Sequence, residues 1–168
     1  MKPKIHHPFL PLYNEKSRVL ILGSFPSVKS RENSFYYGHP QNRFWKTISA
    51  MLTLPVPQSI EEKKSMLLEN GIALWDVIES CEIKGSSDSS IKNVVPNDIA
   101  GIINTTEIKA IFCNGTKAFQ LYKKHIAPIV NVKVFCLPST SPANAACSQQ
   151  KLIETYSAAI LPYLNLKH

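Results

Sequence analysis

Four short apolar runs, Val19–Leu22, Ile72–Trp75, Ile108–Cys113 and Val132–Leu137, are separated by segments with apolar residues at helical spacing. Continuous apolar runs of this length suit strands that are covered on both faces. Strands alternating with helices predict a parallel sheet between helical layers. The expected fold is α/β: a three-layer α/β/α sandwich with a central four-stranded, mainly parallel sheet.

The helices are punctuated clearly. Phe44, Trp45, Ile48, Met51 and Leu52 form one stripe from near Asn42, and Pro55 and Pro57 stop it. Ser59 and Glu62 form a capping box for a helix that runs to Gly71, a C′ glycine. Asn97 or Asp98 caps a short helix through Ile103. Asn114-Gly115 reads as a tight turn into a helix with Ala118, Phe119, Tyr122 and Ile126 on one face. Leu152, Ile153, Tyr156, Ile160 and Leu161 mark a last helix. Residues 1–16, with three prolines, read as an extended lead-in. Residues 79–97 are polar, with Gly85 and Pro96, and read as a surface loop. No repeat or boundary breaks the rhythm, so residues 1–168 are expected to form a single domain.

Nineteen Lys and Arg against twelve Asp and Glu give a net charge of +7. Such an excess favours a polyanionic partner. Cys81, Cys113, Cys136 and Cys147 lack metal-ligand spacing, so neither zinc nor an iron–sulfur cluster is expected. Cys113 and Cys136 lie in apolar runs and are expected to be buried thiols. Met1–Pro8 has no apolar core of a signal peptide, and no run reaches the ~20 residues of a membrane span. A cytoplasmic location is expected, with no membrane partner.

The chemistry concentrates where strands end. Val19–Leu22 runs into Gly23-Ser24-Phe25-Pro26, a turn that places backbone N–H groups at the carboxyl end of a parallel sheet, where open α/β folds bind ligands. A dense group from Tyr36 to Trp45 follows, with aromatics to stack on a flat ring and amides to read polar edges. Asn42 has a neutral amide that can donate to a developing anion or orient water; the same residue suits a helix N-cap. His39 is a candidate proton donor, or a hydrogen-bonded loop residue. Asp76 sits just past a strand end and can accept from a ligand N–H, or cap its loop. Lys29, Arg31, Arg43 and Lys46, opposed only by Glu32, make a candidate phosphate track. Ser139, Thr140, Ser141 and Asn144 precede a helix and can pinch phosphates.

These segments resemble the uracil-DNA glycosylase superfamily, most closely its hypoxanthine-DNA (deoxyinosine) glycosylase branch. Leu22–Ser27 resembles the water-activating motif, His39–Trp45 the asparagine-bearing segment, and Leu137–Asn144 the second signature loop. Ala73–Val77 and Ile111–Gly115 sit where the family has its other strand ends. The likeness spans roughly residues 17–161. It implies a monofunctional DNA glycosylase that flips a deaminated base, most closely hypoxanthine, from double- or single-stranded DNA and hydrolyses its N-glycosidic bond. A monomer without cofactor is implied. Asn42 would be catalytic, with His39 assisting. Tyr37, five residues earlier, would be the stacking partner, with Phe35 and Tyr36 as alternatives. Gly23, Ser24, Phe25, Pro26 and Asp76 would contact the substrate, and the Ser139–Asn144 loop would enter the minor groove. One departure is clear: the first motif has Phe25 where the superfamily usually has Asp or Asn. Uracil or xanthine specificity, and a non-catalytic nucleic-acid-binding module, are the alternative readings.

Overall fold

The computed structural model describes residues 4–7, 9–27, 30–31, 35–84 and 90–164. In chain order the elements are β1 (Lys4–His6), β2 (Val19–Gly23), α1 (Phe44–Leu52), α2 (Ile60–Glu69), β3 (Ile72–Asp76), β4 (Ile78–Glu82) and β5 (Lys92–Pro96). Then follow α3 (Ile99–Thr105), β6 (Ala110–Asn114), α4 (Thr116–His125), a single 3₁₀ turn (Ala127–Ile129), β7 (Lys133–Leu137) and α5 (Gln149–Leu164).

The central sheet has four parallel strands in the order β3-β2-β6-β7. Successive residues of β2 point to opposite faces, which explains its unbroken apolar sequence. Val19 and Ile21 join one core with Phe44, Ile48, Leu67, Tyr156 and Ile160, from α1, α2 and α5. Leu20 and Leu22 join the other with Ile99, Ile102, Leu121 and Tyr122, from α3 and α4. Helices on both faces make the expected three-layer sandwich. The strand order reverses between β2 and β6, the switch point outside which such sheets open a crevice. Register keeps the carboxyl ends nearly level: Gly23 pairs with Asp76, and Asn114 with Leu137.

The helix punctuation agrees with the sequence. Ser59 and Glu62 form the capping box. Gly71 adopts φ 76°, open to glycine at little cost. The Asp98 carboxylate accepts from the Gly101 N–H.

Two expectations are corrected. Residues 79–97 are not simply a surface loop. They contribute most of β4 and all of β5, which with β1 form an antiparallel sheet in the order β1-β4-β5. Cys81, Ile83 and Ile91 from this stretch are buried in the second core. Cys136 is exposed, because β7 is an edge strand that leaves it uncovered; Cys113, on inner β6, is buried as expected.

Candidate active site

A cavity of about 140 Å³ opens at the carboxyl ends of the parallel strands. It is smaller than the roughly 300–1,000 Å³ of sites for drug-sized ligands, and suits a compact planar group. Gly23, Ser24, Phe25 and Pro26 line it from β2, Asp76 from β3, Asn114 from β6, and Ser139, Thr140 and Ser141 from beyond β7. Tyr37 and Asn42 close it from the aromatic segment.

The Asn42 amide is oriented by a chain of hydrogen bonds with only one consistent direction. The Thr140 backbone N–H donates to Asn114 Oδ1 (3.0 Å), so Asn114 Nδ2 must be the donor to Thr140 Oγ1 (3.0 Å). The Thr140 hydroxyl then donates to Asn42 Oδ1 (2.8 Å), which also accepts the Phe44 N–H (2.9 Å). Two backbone N–H groups thus fix Oδ1 as acceptor and leave the Nδ2 hydrogens as the donor that Asn42 offers to the cavity. The N-cap of α1 is Arg43, so Asn42 stands one residue before the cap position expected of it, with its Oδ1 accepting the first helical N–H, that of Phe44.

At the β3 end, Asp76 is buried and His7 Nε2 lies 2.7 Å from its Oδ2. The Phe9 N–H donates to His7 Nδ1 (3.1 Å), so Nε2 carries the proton that reaches Asp76. The Phe9 carbonyl also lies 3.0 Å from Nδ1. Asp76 Oδ1 lies against Gly23, where an added Cβ would sit 2.4 Å from it. A larger residue there would force the Asp76 carboxylate, held by His7, to shift.

Tyr37 lines the cavity, but its ring stacks on Phe44 (centroids 4.1 Å apart, 15° between planes). Its φ of 52° is rare for a bulky residue. Its hydroxyl is buried, with the Asn114 amide beside it. Burial, with the nearby Asp76 charge adding to it, holds the phenol well above its ordinary range. Of the alternatives, Phe35 is a core residue, whereas Tyr36 is in the core and also lines the cavity, its hydroxyl donating to the Leu10 carbonyl (2.9 Å). Phe25, half-buried, presents a ring at the cavity wall with the Arg31 guanidinium 5.6 Å over it.

Several expected site residues sit elsewhere. His39 does not line the cavity; its Nδ1 is an acceptor for the Gln41 N–H (3.0 Å), which ties the ring into its own turn. Arg43 is not available as a phosphate cation. Its guanidinium donates to the carbonyls of Cys147, Asn144 (2.9 Å) and Ser141, binding the second signature loop to α1. Thr140 is fully buried and cannot touch a phosphate. The Asn144 amide donates to the Ser139 carbonyl (3.0 Å) within its own loop. Ser139 Oγ accepts the Ser141 N–H, and Ser141 Oγ the Ala143 N–H. Arg31 Nε contacts the Ser27 carbonyl (3.4 Å), and Lys46 is exposed on α1. Lys29 lies outside the described residues.

Sequence reasoning missed Asn114, taken for a turn residue, and His7, hidden in the lead-in. Asn114 had one usable signal: it ends a strand beside a glycine, as Asp76 ends another. His7 had none, because its role depends on a partner 69 residues away.

The family model of the Uracil DNA glycosylase superfamily matches residues 10–165. A Methanosarcina acetivorans protein named Hypoxanthine DNA glycosylase is 34% identical over 149 residues, 88% of this chain and 93% of the relative. A Methanosarcina barkeri protein of the same name is 33% identical over 113 residues, 66% of this chain and 71% of the relative. The solution NMR structure of a candidate uracil DNA glycosylase from Methanosarcina acetivorans superposes with TM-score 0.79 at 31% identity, covering 92% of this chain and 95% of the other. The match extends from the N-terminal approach through every strand end that lines the cavity, and on it this chain belongs to the uracil DNA glycosylase superfamily.

Proposed function

We propose that this protein is a monofunctional DNA glycosylase that flips deoxyinosine out of damaged DNA, in duplex or single strand, and hydrolyses its N-glycosidic bond. Water adds across the bond between C1′ and the base nitrogen: its hydroxyl goes to C1′ and its proton to the departing hypoxanthine. The oxocarbenium-like transition state places negative charge on the leaving base. A neutral donor fixed beforehand stabilises that charge without reorganising. The observation that carries the reading is the Asn42 amide, locked by Thr140 and the Phe44 N–H so that its N–H₂ is offered to a base-sized cavity. The names of the Methanosarcina relatives support the same base. Phe25, in the wall where the superfamily usually has Asp or Asn, leaves Asn42 the main catalytic group in this reading and supplies a flat face to the base or sugar. The reading calls on no metal or cofactor and on a monomer acting within the cell.

The test is a panel of oligonucleotides holding one inosine, uracil or xanthine, treated with the protein and then with alkali to cleave abasic sites. Inosine is the expected best substrate. Asn42→Ala should lower its excision by ~10²–10³, as loss of one oxyanion-type donor does. DNA affinity should survive, because phosphate contacts supply most of it. Binding to damaged DNA with no abasic product in long incubations would instead mark a non-catalytic module.

A further inference from the structure

A second concavity, a groove of about 520 Å³, is larger than the catalytic cavity and shares no lining residue with it. Residues 54–58 line it on one side; Glu61, Ser65, Met66 and Glu69, on one face of α2, line it on the other. Single exposed apolar side chains are ordinary, but a cluster of them marks an interaction surface. Leu54 is 42% and Val56 41% exposed, and Ile60, at the start of α2, is exposed as well. The apolar side is preformed. The Leu54 N–H donates to the Ser49 carbonyl (2.9 Å) at the end of α1, and Glu62 accepts the Ser59 N–H (3.2 Å) in the capping box. Pro55 and Pro57, between these anchors, have fixed φ. A surface held this way loses little freedom on binding. Charge then selects the occupant. Three of the chain's twelve Asp and Glu line the groove, and no Lys, Arg or His does. Lys63 and Lys64 of the same helix lie instead over the Trp45 and Phe35 rings (5.1 and 5.9 Å). Glu62 is engaged in the cap, whereas Glu61 and Glu69 carry no ion pair among the described residues. Those two stand about 12 Å apart along the helix.

We infer that this groove docks a basic amphipathic helix of a partner protein, its apolar face against Leu54, Val56 and Met66 and a Lys or Arg opposite each of Glu61 and Glu69. An acidic rim repels DNA and anionic membrane surfaces, so neither is the occupant. An added β-strand is disfavoured as well, because Pro55 and Pro57 have no N–H to pair with it. A helix laid along α2 meets both requirements: its apolar stripe covers the exposed side chains, and its cations repeat at the spacing of the two carboxylates. Because the groove and the catalytic cavity are built from different residues, partner and DNA can be held at once. In a chain of net charge +7, α2 turns its cations to the aromatic segment and its acids to the protein partner.

The experiment uses the full chain and a synthetic peptide of about four helical turns, with Leu along one face and two Lys at the Glu61–Glu69 spacing. Fluorescence anisotropy measures its binding, and amide chemical shifts locate it. Binding should shift residues 54–69, weaken as salt rises, and persist when an inosine duplex is bound. Glu61→Lys combined with Glu69→Lys should weaken it at least about tenfold, each rim pair passing from attraction to repulsion. Val56→Asp, which puts a charge into the apolar side, should abolish it. All three positions are exposed, so these variants should stay folded, as Tm will show, and should excise inosine like wild type. Four results overturn the assignment: no binding to wild type, equal binding of a scrambled peptide, equal binding of the peptide with Glu in place of Lys, or shifts centred outside the groove. Sedimentation without peptide tests the other occupant. A concentration-dependent dimer that Val56→Asp abolishes would give the groove to a second copy of this chain, and would overturn the assignment too.

Discussion

The side chain of Asn42 is set by groups that are not themselves chemical players. Thr140 and Asn114 act as a relay whose direction comes from backbone N–H groups. Thr140→Val keeps the shape but removes the hydroxyl between the two amides. It leaves Asn114 Nδ2 without its acceptor and Asn42 Oδ1 with one donor. The expected cost is about 1–3 kcal/mol in denaturant unfolding, with a larger proportional loss of excision because Asn42 is free to rotate. Unaltered excision by a folded Thr140→Val protein would show that the amide needs no such support. Asn42 was legible because an amide between aromatics at a helix start is chemically unusual. Thr140 was read as a phosphate contact because its burial, which decides the matter, is a property of the fold.

Among the elements, the parallel strands and their helices were legible because burial on both faces leaves a continuous apolar signature. The β4–β5 pair was not. Its register shifts between Ile78 and Ser80 and again between Ser80 and Glu82, so the strict alternation that marks a strand is broken. Short strands with polar outward faces and a serine-rich connection then look like loop. Another element-scale feature is the turn between β6 and α4. Gly115 has φ 99°, and an added Cβ would lie 3.1 Å from Ser139 Cβ. Gly115→Ala therefore strains the backbone and pushes the second signature loop outward, away from Asn114. Stability should fall by more than the roughly 1 kcal/mol of an ordinary loop change, and excision should fall with it. A Gly115→Ala protein with wild-type Tm would show that the turn relaxes freely.

For the molecule as a whole, two responses follow from charge and burial. The net charge of +7 makes duplex affinity fall steeply with salt, each phosphate contact adding roughly −0.9 to the slope of log affinity against log salt. The expected track includes Lys46, exposed on α1, and Arg31, and replacing both should flatten the slope by up to about 2. An unchanged slope would place the DNA path elsewhere. At high pH the buried tyrosines control stability. Burial pushes the Tyr122 phenol up to about 12 from 10.0, and pushes Tyr36, Tyr37 and Tyr156 up further. Each keeps its proton in the folded chain after the unfolded chain has lost it. Their contribution is intact below pH about 10 and is lost as pH rises through about 12 and beyond. Tyrosinate absorbance followed through alkaline unfolding should show these tyrosines ionising together with loss of structure; ionisation well before unfolding would contradict their burial.

The sequence by itself determined the layered α/β architecture, the positions of the helices and the segments that meet at the cavity. These depend on hydrophobic period, capping and turn chemistry, which are local. Only the tertiary structure decided which side chains in those segments face the cavity. It turned Arg43 into a tie between two loops, His39 into a turn contact, and His7, from a stretch read as a lead-in, into the partner of Asp76. Those outcomes depend on distances between residues far apart in the chain, and on which polar groups are left unpaired once the backbone has taken its share.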